Sequence, residues 1–208
     1  MLVSFALAVA TAASGALPPA PVAEDSASRV GVETLPVAAT DTARRPTPAD
    51  FAFMTGMIGH HAQALVMSAL VPGRSARADL ALLAERITAS QRDEISLMQQ
   101  WLRDHGEEAP DPAAHAHHDA GHAARMPGML TPAELARLAA ASGNDFDRLF
   151  LELMIRHHEG ALQMVADLRR SPGALQEPQL FDFASDVDAD QRAEIARMRR
   201  LLGTLPNG

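Results

Sequence analysis

Apolar residues along this chain recur at helical intervals, and no segment shows the strict alternation of a half-buried strand, so the pattern predicts an all-α protein. Folded sequence is expected from Thr47, where Thr47-Pro48-Ala49-Asp50 supplies a cap, a proline at the first helical position and an acid in the first turn. That helix should run to about Leu70, stopped by Pro72-Gly73. The next, from about Ser75 to Asp104, carries Leu80, Leu83, Ile87, Gln91, Glu94, Met98 and Trp101 on one stripe and ends at His105-Gly106. Thr131-Pro132-Ala133-Glu134 has the form of a capping box opening a short helix to about Ala141. Asn144 is the expected cap of a helix reaching Arg170, ahead of Ser171-Pro172-Gly173, and a last helix spans roughly Gln179 to Leu202.

The helical pattern contains an internal repeat. Met57-Ile58-x-His60-His61-x-x-Ala64-Leu65-x-Met67 recurs as Met154-Ile155-x-His157-His158-x-x-Ala161-Leu162-x-Met164, identical at seven of eleven positions. The helices that follow match too: Gln91-Arg92-x-Glu94-Ile95-x-x-Met98 recurs as Gln191-Arg192-x-Glu194-Ile195-x-x-Met198. The repeating unit is therefore a whole helical hairpin. Each hairpin alone would expose an apolar stripe. Two of them bury both stripes as a four-helix bundle with pseudo-two-fold symmetry. The bundle is expected over residues 47–203, with halves at about 47–105 and 144–203 and a connecting loop at 106–131.

The amino-terminal sequence is of another kind. Residues 2–13 form an uncharged apolar run followed by Ser14, Gly15 and Ala16, which reads as a secretory signal over residues 1–16, although no Lys or Arg precedes the run. The run is shorter than the roughly 20 apolar residues needed to cross a bilayer, so export is preferred to an uncleaved membrane anchor. Residues 17–46 are rich in Pro, Ala, Ser and Thr and read as a flexible tether.

Composition narrows the chemistry. A net charge of −8 argues against a nucleic-acid binder, which needs a basic face. Cysteine is absent, which excludes disulfides, thiolate metal sites and iron–sulfur clusters. The chain has 10 Met and 9 His beside one Trp and no Tyr, a balance that favours ligands for late transition metals.

Helical spacing puts Met54, Ile58, His61 and Leu65 on one ridge and Phe53, Met57, His60, Ala64 and Met67 on its neighbour. The second copy repeats the arrangement around His157 and His158. Glu94 and Met98 share a face of their helix, as do Glu194 and Met198, so imidazole, carboxylate and thioether from four helices can converge. Neutral imidazole with thioether suits copper(I), and imidazole with carboxylate also takes zinc, copper(II) or iron. A di-iron carboxylate site would want Glu-x-x-His on two helices, and no Glu here is followed by His at that spacing. The competing reading is purely structural: His61 and His158 hydrogen-bond Glu94 and Glu194 across the bundle and lock the hairpins in register. Within each pair the rings diverge by about 100°, which leaves open which one would ligate. His115, His117, His118 and His122 in the loop form a second candidate metal tract or a solvated linker. His105 fits a helix carboxyl end, and Arg169-Arg170 and Arg199-Arg200 read as solvated helix ends.

The two repeated motifs, together with Met126-Pro127-Gly128-Met129 between them, resemble the ferritin-like family known as domain of unknown function 305, over about residues 47–203. The resemblance implies a ferritin-like four-helix bundle, a periplasmic or secreted bacterial protein, and copper ahead of zinc or iron. It implies a ligand set of Met57, His60, His61, Met154, His157 and His158, with Met126 and Met129 near the bundle mouth and Glu94, Met98, Glu194 and Met198 in support. The resulting expectation is an exported protein that buffers or transfers copper, a carrier rather than a catalyst. The alternatives are a bundle-sited metal oxidase or ferritin-like redox enzyme, and a metal-free interaction bundle. Expected partners are the metal ion and either a second copy of the chain or a copper-transfer protein, with no nucleic acid and no stable membrane insertion.

Overall fold

A computed structural model describes residues 45–112 and 126–206. The expected signal segment, nearly all of the tether, and His115, His117, His118 and His122 lie outside the described residues. Among the described residues the fold has five α-helices: α1 (Pro48–Ser68), α2 (Ala78–Asp104), α3 (Pro132–Ala140), α4 (Gly143–Arg170) and α5 (Pro178–Leu202). α1 packs chiefly on α2 and α4 on α5, and the two hairpins meet mainly along α1 and α4. The fold is thus the all-α, four-helix bundle of two hairpins expected from the sequence, with short α3 laid against α4.

The helix ends follow local chemistry. At the start of α1, Thr47 N–H donates to Asp50 Oδ2 (2.7 Å) and Asp50 N–H donates to Thr47 Oγ1 (3.3 Å), a reciprocal capping box. The other Asp50 oxygen accepts from the N–H of Leu175 (3.0 Å), which stands at φ +58° between α4 and α5, so one carboxylate caps α1 and ties it to the other hairpin. α1 ends at Ser68, two residues before the expected Leu70, because Leu70 and Val71 donate to the carbonyls three residues back and tighten the last turn. α2 starts three residues later than expected: Ser75 N–H donates to Val71 O and Ser75 Oγ accepts from Arg77 N–H, which holds the chain in a turn. α4 begins at Gly143 with Ser142 as its cap residue, and Asn144 is not the cap. The cause is Gly143 itself, which takes φ +59° and donates its N–H to Arg74 O (2.7 Å) in the turn of the first hairpin.

Two apolar clusters fill the bundle. One joins Ala64, Met67, Leu80, Leu83 and Ile87 to Phe146, Phe150, Met154 and Met198, and the other joins Phe53, Met54, Met57, Met98 and Trp101 to Val165, Leu180 and Val187. On every long helix the residues of one cluster precede those of the other along the chain, and a short polar stretch lies between. These stretches hold His60 and His61 on α1, Gln91 and Glu94 on α2, His157 and His158 on α4, and Gln191 and Glu194 on α5, all buried. Each buried large apolar side chain stabilises the fold by roughly 1.5–3 kcal/mol, and the polar layer between the clusters forgoes that contribution.

Candidate metal centre

The polar layer is built from the repeated motifs. All four imidazoles are 0% exposed. His60 and His157 meet across the α1–α4 contact, with ring centroids 3.9 Å apart and planes tilted by 36°. His61 and His158 turn away to their partner helices: His61 Nε2 lies 2.5 Å from Glu94 Oε2, and His158 Nε2 lies 2.6 Å from Glu194 Oε2. Adjacent rings within each pair are separated by 6.2 and 6.1 Å. The hydrogen bonds foreseen for His61 and His158 are present, but each lies within one hairpin and so does not lock the two hairpins together as expected, because each glutamate stands on the helix paired with its histidine.

These bonds fix tautomers. A carboxylate only accepts, so a neutral His61 or His158 donates through Nε2–H and keeps its lone pair on Nδ1. His60 likewise donates from Nε2 to the Pro127 carbonyl (3.1 Å). The Nδ1 atoms of His60, His61 and His158 are buried with no hydrogen-bond partner, and neither nitrogen of His157 makes a hydrogen bond of good geometry, its contact with the His60 backbone being weak. Gln91 and Gln191 add both atoms of two buried carboxamides, so nine of the eleven buried, unpartnered side-chain polar atoms among the described residues belong to this one layer. Native interiors pair nearly all such groups, and each exception calls for a cause.

Burial sets the charge. Desolvation, followed by the nearby His61, lowers the pKa of His60 to about 3. Desolvation together with His60 pushes His157 well below the ordinary imidazole range. Both rings are neutral at physiological pH, the form in which imidazole ligates metals.

The thioethers divide. Met57 and Met98 are fully buried in one apolar cluster, and Met154 and Met198 are fully buried in the other, so they flank the imidazoles from opposite sides. Met126 and Met129 are half-buried in the strap between the hairpins. That strap is held tightly. Gln63 accepts from Leu130 N–H (2.7 Å) and donates to Leu130 O (3.0 Å). A Cβ built on Gly160 would stand 2.1 Å from Pro127 O, and one on Gly128 would stand 2.6 Å from Arg156 O, so both positions need glycine for the strap to lie against α4. Among the described residues no group of three or more His, Asp or Glu is disposed to hold an ion as it stands. A site here would need sulfur donors.

Gln63, Gly160 and the Pro127 carbonyl did not figure among the sequence candidates. The signal for them lies in the mismatches of the repeat, because Gln63 in the first copy stands where Gly160 stands in the second. Elsewhere the structure refines the sequence reading. His105 Nδ1–H donates to Trp101 O (2.8 Å) at the end of α2, and the ring faces Glu177. Arg169 and Arg199 are exposed as expected but reach Asp188 (3.7 Å) and Glu159 (2.7 Å) on neighbouring helices.

With this geometry in place, the sequence matches the family described as domain of unknown function (DUF305) over residues 50–202. The chain belongs to the DUF305 family. Similar solved structures include a DUF305 fragment from Deinococcus radiodurans, 34% identical over 77% of this chain and 100% of that one, with a TM-score of 0.67. A DUF305 protein from Streptomyces coelicolor, predicted to be secreted, is 27% identical over 74% of this chain and 92% of its own, at a TM-score of 0.63. CopM resembles this DUF305 chain in its Cu(II)-bound form (26% identity, 74% of this chain and 95% of that one, TM-score 0.59). It does so again in its Cu(I)-bound form (25% identity, 76% and 98%, TM-score 0.58). No curated protein matches the chain significantly.

Proposed function

We propose that this DUF305 protein is an exported copper-binding protein of the bacterial envelope that buffers or transfers the ion through histidine and methionine. The observation that carries the reading is His157. It is wholly buried and packed against the His60 ring, and neither of its nitrogens makes a hydrogen bond of good geometry, the His60 backbone offering only a weak one. A structural role accounts for His61 and His158, which Glu94 and Glu194 satisfy at Nε2, and it gives no reason for His157. Neutral imidazoles beside buried thioethers are the donor set that copper(I) prefers over zinc or iron.

In this reading His60 and His157 are the central ligands, and Met57 and Met154 supply sulfur from either side. His61 and His158 offer Nδ1 while their carboxylate partners fix the rings, the usual arrangement behind a ligating imidazole. Met98 and Met198 support from the partner helices, and Met126 and Met129 line the way in. The copper-bound forms of CopM support copper as the cargo. Export through a leader at residues 1–16 and a tether to residue 46 is part of the same proposal. It is supported by the secretion predicted for the Streptomyces relative. No helix among the described residues is long and apolar enough to cross a membrane.

The test is copper retention by the purified protein after equilibration with Cu(I) or Cu(II) and competition with a chelator. Stoichiometric copper is expected in the wild type, and a tandem His60→Ala, His157→Ala variant should lose it. Equal retention by both proteins, or none by the wild type, contradicts the proposal.

A further inference from the structure

Gly56 lies in the interior of α1, one turn before His60. Glycine there costs about 1 kcal/mol relative to alanine. Its backbone is helical, so no positive φ requires it. Nor does packing: a Cβ at Gly56 would sit 3.5 Å from Met126 Sδ and 3.5 Å from Met164 Cε, ordinary contact distances. Gly160 and Gly128 differ in kind, since a Cβ there would collide with backbone. The second half of the chain carries Leu153 at the position equivalent to Gly56, and Leu153 is buried. What Gly56 provides is a notch the size of one methyl group, partly exposed to solvent, lined by the Met126 sulfur from the strap and the Met164 methyl from α4.

We infer that this notch is a thioether entry site for a soft monovalent ion, with Met126 and Met164 as donors and His60 as the residue that takes the ion inward. The inference rests on the copper reading above and adds Met164, a residue outside the ligand set considered so far. His60 Nε2 is bonded to the carbonyl of Pro127, the neighbour of Met126, so the imidazole and the Met126 thioether approach the same stretch of strap. For Nε2 to ligate, His60 gives up that bond and its ring proton moves to Nδ1, which has no partner now. No net charge is created by the shift. Two neutral thioethers at a partly exposed notch capture a soft ion weakly, and the buried imidazoles beyond hold it more firmly.

The experiment uses the protein carrying 13C-methyl methionine, titrated anaerobically with Cu(I) and in parallel with Ag(I), alongside Met164→Leu, Gly56→Leu and His157→Ala variants. Circular dichroism establishes that each variant is folded. In the wild type the Met126 and Met164 methyl signals should move first, before those of Met57 and Met154. Met164→Leu, which keeps volume and removes sulfur, should weaken capture of the first ion by about tenfold or more, judged against the 10–100-fold effect of losing a supporting residue at metal sites. Gly56→Leu, which fills the notch, should do the same. If the wild type binds Cu(I) and His157→Ala abolishes binding while Met164→Leu and Gly56→Leu bind as wild type, the entry site is wrong and the copper reading stands. If the wild type binds no Cu(I), both fall.

Discussion

Gln63 and Gly160 occupy equivalent places in the two halves, and their difference decides where the 126–130 strap lies. The glutamine grips Leu130 by its backbone, and the glycine clears the path of Pro127. Replacing Gln63 by Leu strands a buried N–H and carbonyl of Leu130, at about 1–3 kcal/mol for each unsatisfied group. Denaturant unfolding should therefore show a loss of about 2–6 kcal/mol. An unchanged midpoint would mean the strap is held by other contacts. At this scale the sequence was legible where the two halves agree. His60, His61, Glu94 and their second-half counterparts fall in the buried layer their spacing predicted. The way the strap is held was not read, because it rests on its own main chain, the Pro127 carbonyl toward His60 and the Leu130 backbone toward Gln63, which a pattern of side chains does not spell out.

Among the elements, the side-chain-capped starts of α1 and α3 were readable, and that of α4, one of three described helices without a side-chain cap, was not. Thr47 and Thr131 form the boxes their sequences spell out, whereas α4 starts through the φ of Gly143 and a backbone bond to Arg74, a long-range contact invisible to local reading. The box on α3 also has a pH signature. Arg156, donating to Glu134 Oε1 (2.6 Å), is the main cause of a Glu134 pKa lowered from 4.5 to about 2, and the Thr131 bonds add to it. A depressed carboxylate contributes stability that is complete above its unfolded pKa and is lost as pH falls through the folded one. Glu134→Gln should therefore be less stable than wild type at pH 7, by about 0.5–1 kcal/mol after allowance for solvent screening. The gap should close between pH 4.5 and about 2. Urea midpoints across that range check it. A gap that persisted at pH 2 would place the effect elsewhere.

For the molecule as a whole, the question is why a bundle with two well-packed apolar clusters keeps a polar layer between them. Stability gives no reason. Removing one member of a buried charged or hydrogen-bonded pair is costly, about 3–5 kcal/mol for an ion pair, while replacing both by apolar residues of similar size is often neutral or stabilising. The joint change His61→Leu, Glu94→Leu should thus unfold no earlier than wild type, while His61→Leu alone is clearly destabilised. If the double variant fails as badly as the single one, the layer is structural and needs no ion to explain it. If it is stable, the layer is kept for what it binds. The most direct measurement of that is X-ray absorption at the copper edge on the loaded wild-type protein. The account predicts imidazole nitrogen and thioether sulfur together around the metal. A shell of oxygen and nitrogen alone, or no bound copper to measure, would contradict it.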